Sequence, residues 1–128
     1  MKPINYEKKT TRGKLTITLI AYIAGLFDGE GSIYLSKIRN KRSGSWQHTL
    51  GVSCGVNFKG PSDLLSRFFC SYGKGTIYRL RGYKPHYQWM VAGRLALKFL
   101  KTVYPYLWIK REQAKLGIEF QEYKTKQA

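Results

Sequence analysis

Three small residues, Ala21, Gly25 and Gly29, recur at intervals of four inside an otherwise bulky apolar stretch, and no other feature of the chain constrains its fold as strongly. Between residues 18 and 29 the side chains of Leu19, Ile20, Tyr22, Ile23, Leu26 and Phe27 cover most of a helix surface, and the small residues leave one stripe along it. An interior glycine costs about 1 kcal/mol relative to alanine in a helix, so Gly25 calls for a compensating contact. Small residues at i and i+4 supply one by letting two helix backbones approach closely. The stripe therefore packs either on another helix of the same chain or on a second copy of itself.

Glu30 lies just past the end of this helix, where the dipole is negative and a carboxylate is disfavoured unless a cation answers it. Acids are scarce here. Between Lys9 and Lys110 the only ones are Asp28, Glu30 and Asp63, in a chain with 23 Lys and Arg against 7 Asp and Glu and a formal charge of +16. So basic a surface attracts phosphates or anionic lipid. If a twofold axis pairs two copies of the helix, two Glu30 side chains converge, and divalent cations bridging them relieve the repulsion. Such a pair suits phosphodiester hydrolysis, one ion lowering the pKa of the attacking water and another stabilising the leaving oxygen.

The apolar run at residues 15–27 has 13 members, too few to span a bilayer, so no membrane partner is expected. Cys54 and Cys70 lack the paired spacing of a zinc site and are expected to be small core residues. His48 and His86 have no metal-like spacing to other ligands either.

Residues 1–14 are polar and basic and read as a flexible N-terminal arm, leaving residues 15–128 as a single domain. After the first helix, strands at about 32–40 and 46–58 flank the turn sequence NKRSGS and form a long basic hairpin. Leu50, Val52, Cys54, Val56 and Phe58 share one face of its second strand, and Thr49, Gly51, Ser53, Gly55 and Asn57 share the other. Gly60 and Pro61 then open a helix at 62–71, a second hairpin follows at 76–81 and 86–91, and helices at 94–103 and 106–123 close the chain. The order is two helix–hairpin halves plus two helices. That places the fold in the α+β class, an antiparallel sheet with helices on one face.

Residues 23–31, Ile-Ala-Gly-Leu-Phe-Asp-Gly-Glu-Gly, resemble the nine-residue signature of the LAGLIDADG homing endonucleases. The resemblance extends through YGKGTI at 72–77, Tyr87 and Trp89, and PYLWIKREQA at 105–114, so it covers about residues 18–122. It implies an αββαββα fold whose four-stranded saddle sheet lies in the DNA major groove. A single motif implies a homodimer, pairing through Ala21, Ala24, Gly25, Asp28 and Gly29. It further implies that Glu30 and the carbonyl of Gly29 hold Mg²⁺, with Mn²⁺ as a substitute and Ca²⁺ supporting binding but little cleavage. Asp28 matches the first acid of the motif, which is mainly structural at the helix end. Lys110 falls on the family's basic residue near the scissile phosphate. The family's water-positioning polar residue falls in strict register on Phe58, so Asn57 is the candidate catalytic neighbour, with Lys59 on its other side. No Arg matches the family's second basic position, near Ser62.

A two-stranded ribbon fits the major groove, where each base pair shows a distinct donor and acceptor pattern. With Ile33 and Leu35 toward the helices, Tyr34, Ser36, Ile38, Asn40 and Arg42 are expected to face DNA, joined by Thr49, Ser53 and Asn57. Lys37, Arg39 and Lys41 near the hairpin tip are expected on phosphates. The second hairpin offers Tyr78, Arg79, Arg81, Lys84, His86 and Gln88. The expected partners are thus double-stranded DNA and a second copy of the chain, without a small-molecule substrate. The expected place is intracellular, in a prokaryotic cytoplasm or an organelle carrying the target DNA, where the resemblance implies intron homing. The competing reading is a non-cleaving nucleic-acid-binding protein of the same fold, an RNA maturase or a DNA-binding regulator.

Overall fold

The first helix and first strand meet without a loop. Helix α1 (Ile17–Glu30) starts where the Thr16 hydroxyl accepts a hydrogen bond from the Leu19 N–H at 3.1 Å, a cap worth about 1 kcal/mol. It ends on Gly31, whose N–H donates to the Phe27 carbonyl while its backbone is already extended. A Cβ at Gly31 would overlap the Phe27 ring and carbonyl oxygen, so only glycine lets the chain turn straight from helix into strand. The structure is a computed structural model, and it describes residues 15–69, 76–78 and 86–127. The expected arm at 1–14 lies outside the described residues.

Strand β1 (Gly31–Arg39) pairs antiparallel with β2 (Trp46–Val56) from Gly31↔Cys54 to Arg39↔Trp46. The turn between them is closed by Asn40, whose side-chain oxygen accepts from the N–H of Arg42 at 2.9 Å and of Ser43 at 3.4 Å. Gly44, at φ 72°, takes the left-handed backbone that the turn requires. Helix α2 (Lys59–Phe69) begins three residues earlier than the sequence suggests. Gly60 and Pro61 fall within its first turn, where proline's missing N–H has no helical partner to lose. Strands β3 (Thr76–Tyr78) and β4 (His86–Ala92) form the second hairpin. The sheet runs β1-β2-β4-β3, four strands and antiparallel throughout, with the central β2 and β4 joining the two helix–hairpin halves.

Helix α3 (Arg94–Val103) leads through a 3₁₀ turn at Tyr104–Tyr106 to α4 (Arg111–Gln127). The sequence pattern starts the last helix at residue 106. It begins five residues later because the N–H groups of Trp108 and Lys110 donate to the Asp28 carboxylate at 2.7 and 3.0 Å instead of to helical carbonyls. The Lys110 carbonyl then accepts from the Ala114 N–H at 2.9 Å, so Lys110 precedes α4 rather than lying within it.

The core lies between the helices and one face of the sheet, from which Leu50, Val52, Cys54, Trp89 and Val91 are buried. Phe99 stands at its centre, with ring centroids 4.9 Å from Phe27, 4.8 Å from Phe69 and 5.0 Å from Trp89. From α4, Gln121 is buried and its side-chain oxygen accepts from the Leu50 N–H at 3.1 Å, satisfying a β2 donor. No described helix is long and apolar enough to cross a membrane.

Candidate functional site

The stripe on α1 faces outward. Ala21, Gly25 and Gly29 are exposed, and a Cβ built on Gly25 or Gly29 meets nothing within 4 Å. Among the described residues, no helix of the same chain packs there and no intrachain contact accounts for the glycines. Two expected interface residues are corrected. Ala24 is fully buried because it sits between the core positions Ile23 and Phe27, and it has no surface to offer a partner. Asp28, 8% exposed, turns its carboxylate inward to the loop before α4. Burial pushes the Asp28 carboxyl up, but the N–H groups of Trp108, Lys110 and Ile109 and the Lys110 charge together hold it below its ordinary 3.8. Its carboxylate joins the end of α1 to the loop before α4.

Lys110 completes this junction by donating from Nζ to the Asp28 carbonyl oxygen at 2.7 Å. A cation thereby sits at the negative end of α1, on the carbonyl two residues before the exposed Glu30. Both charges are felt at the buried Cys54 thiol. Burial pushes that thiol up to about 12, with Glu30 adding to the rise and Lys110 opposing it. Cys54 is accordingly an inert core group, as expected; Cys70 lies outside the described residues.

Glu30 lines a cleft of about 420 Å³ together with Asn57, Phe58 and His86, walled by Tyr22, Leu26 and Pro61. Asn57 and Phe58 form a bend after β2 instead of its last two residues. Phe58 is 75% exposed, so the position that register assigns to a polar group carries an apolar ring open to solvent. Lys59 opens α2 rather than ending the strand. Ser62 is 2% exposed, which leaves that position unable to present a cation. Among the described residues no three His, Cys, Asp or Glu side chains cluster as a metal site. Glu30 is an exposed oxygen donor of the kind suited to a hard cation.

The sheet face opposite the helices is the candidate nucleic-acid interface. Register and alternation place Tyr34, Ser36 and Ile38 on it from β1, Thr49 and Ser53 from β2, and His86, Gln88 and Met90 from β4. No strand residue of β1, β2 or β4 is acidic. Ser53 is a correction: it lies on this face but is only 6% exposed, a short side chain between its cross-strand neighbours Ser32 and Met90. Its hydroxyl does not reach out as a base reader would. The side-chain oxygen of Asn40 is committed to the turn, whereas Lys41 and Arg42 project from it.

Lys37 and Arg39 lie on the opposite side of the hairpin, 4.8 and 5.8 Å from the centre of the exposed Trp46 ring. Tyr78 lies on β3, and Arg79, Arg81 and Lys84 lie outside the described residues.

Sequence reasoning missed what two glycines of β2 do. The Tyr34 ring lies across Gly51, where a Cβ would overlap it, and the His86 imidazole lies across Gly55, with Nε2 only 2.5 Å from where a Cβ would be. Their spacing of four on one strand face was the available signal. Trp46, stacked under two cations, was missed as well.

No family model matches the sequence, and no curated protein matches it. Solved structures do, and the structural neighbours are LAGLIDADG homing endonucleases. I-CvuI, in complex with its target in the presence of Ca, matches with a TM-score of 0.64 at 19% identity, over 92% of this chain and 69% of that one. In another I-CvuI complex the chain spans 65% of the relative. The group I intron-encoded I-CeuI, complexed with DNA, gives 0.66 at 16% identity over 88% of this chain and 58% of that one. I-SmaMI, bound to cleaved DNA, gives 0.60 at 23% identity over 84% and 36%. At these identities the likeness establishes the fold, which is the α+β homing-endonuclease fold expected from the sequence.

Proposed function

We propose that this chain is one half of a homodimeric, divalent-metal-dependent endonuclease that cuts both strands of a long pseudo-palindromic DNA site. The observation that carries this reading is the open glycine stripe of α1 ending on Glu30. Pairing two copies through Ala21, Gly25 and Gly29 covers backbone that one chain leaves bare, and it brings two carboxylates toward one axis. The acid of one chain becomes half of a two-carboxylate site.

Mg²⁺ held by Glu30 and the Gly29 carbonyl would lower the pKa of an attacking water and stabilise the leaving oxygen. The chain's own residues do the rest. Lys110, fixed by its bond to the Asp28 carbonyl, places positive charge at the carboxylate end of α1, where a phosphate would lie. The acid-free sheet face binds the duplex, with Tyr34, Ser36, Ile38, Thr49 and Gln88 turned toward base edges and Lys41 and Arg42 of the hairpin turn near phosphates. The neighbours that carry this fold are themselves bound to DNA in their solved structures.

Phe58 supports a second reading. An apolar side chain where a water-positioning group belongs suits a protein that binds without cutting, a maturase or a regulator. Selecting sites from a random duplex library in Ca²⁺ and then adding Mg²⁺ separates the two. Pseudo-palindromic sites that are then cut support the endonuclease. Specific sites that stay whole in Mg²⁺ support the binder, and a library that yields no sequence at all contradicts both.

A further inference from the structure

We infer that His86 orients the water that attacks the phosphodiester, the task for which the sequence places no polar side chain at position 58. This rests on the endonuclease reading and deepens it. Three observations carry it. His86 comes from β4, yet its side chain lines the same cleft as Glu30. Its imidazole is seated in a prepared place: its Nε2–Cε1 edge is turned to the backbone of Gly55, and a Cβ there would stand 2.5 Å from Nε2 and 2.8 Å from Cε1. Any other residue at 55 must displace the ring. The cleft is otherwise mostly apolar, with Leu26, Val56, Phe58 and Pro61 in its lining, so few groups are available to hold a water.

Those groups differ in how firmly they are placed. Asn57 is exposed on a bend, whereas His86 is half-buried and belongs to a strand paired on both sides. A ring fixed by its seat loses little further freedom when it takes a hydrogen bond, and that preorganisation makes a water-orienting group effective. In the hydrolysis the water oxygen bonds to phosphorus, the bond to the leaving bridging oxygen breaks, and the water's proton reaches that oxygen by way of solvent. The imidazole's part is to hold the water in line.

The test uses the full-length protein with Mg²⁺ and a duplex selected in Ca²⁺, measuring single-turnover cleavage at saturating protein and, separately, Kd in Ca²⁺. His86→Ala is expected to slow cleavage about a hundredfold while Kd stays within about threefold. His86→Gln, which keeps a hydrogen-bonding group, recovers part of the rate, and Gly55→Ala, which unseats the ring, loses rate in the same way. Full-speed cleavage by His86→Ala overturns the assignment, as does a loss traced wholly to weaker binding or altered base preference, the behaviour of a base reader. In both of those cases the wild type still cuts and the endonuclease reading survives. A wild type that never cuts removes that reading and this inference together.

Discussion

Asp28 and Lys110 hold each other twice: the Asp28 carboxylate accepts the Lys110 N–H at 3.0 Å, and Lys110 Nζ donates back to the Asp28 carbonyl at 2.7 Å. One acid thus fixes both the end of α1 and the start of α4. Removing the carboxylate leaves part-buried N–H donors unanswered, and hydrogen bonds to a charged group contribute about 1.5–3 kcal/mol each. Asp28→Ala should lower stability by about 3 kcal/mol in urea denaturation at neutral pH. Because the folded carboxyl lies below 3.8, its contribution is complete above that value and is lost as pH falls through the folded pKa. Acid unfolding of the wild type should therefore steepen below pH 3.8, and Asp28→Ala should lack that component.

Gly25 separates folding from pairing. With nothing within 4 Å of its Cβ position, Gly25→Leu fits the single chain and gains about 1 kcal/mol of helix propensity. On a helix pair the same side chain forces the backbones apart. Sedimentation velocity should show a folded monomer with no cleavage. A dimer that survives Gly25→Leu contradicts pairing through this stripe.

How much of this is legible in the sequence follows from the kind of interaction involved. The hairpins, the alternation that buries Leu50, Val52 and Cys54 of β2, and the small-residue stripe follow from local periodicity and are found in the structure. Phe58, by contrast, leaves the strand, and the direction the stripe faces is given only by the fold. The start of α4, the inward turn of Asp28 and the burial of Ser53 depend on contacts between residues distant in sequence, which periodicity does not encode. Ala24 shows the limit within a single helix. Its small size matches the stripe, but its angular position belongs to Ile23 and Phe27. Phe58 and His86 show the same limit in the cleft, because strand register assigns one position while three-dimensional proximity supplies another.

Cations and base-facing residues should respond differently to salt. Each phosphate that a variant no longer neutralises reduces the slope of log Kobs against log salt by about 0.9. Lys41→Ala and Arg42→Ala should each lower that slope by about one and weaken all sites alike. Tyr34→Ala and Gln88→Ala should instead change which bases are selected. Filter binding across a salt series, with re-selection of sites for each variant, distinguishes the two groups. An unchanged slope in both lysine and arginine variants contradicts their placement near phosphates.

The most direct test of the central claim compares the wild type with Glu30→Gln on a site selected in Ca²⁺, measuring Kd in Ca²⁺ and the rate of double-strand breakage in Mg²⁺. A metal-holding role for Glu30 predicts that the variant binds the site with wild-type affinity and cuts it slower by about a hundredfold or more. Cleavage by Glu30→Gln at the wild-type rate would contradict the account, because the acid at the end of α1 would then have no part in the chemistry.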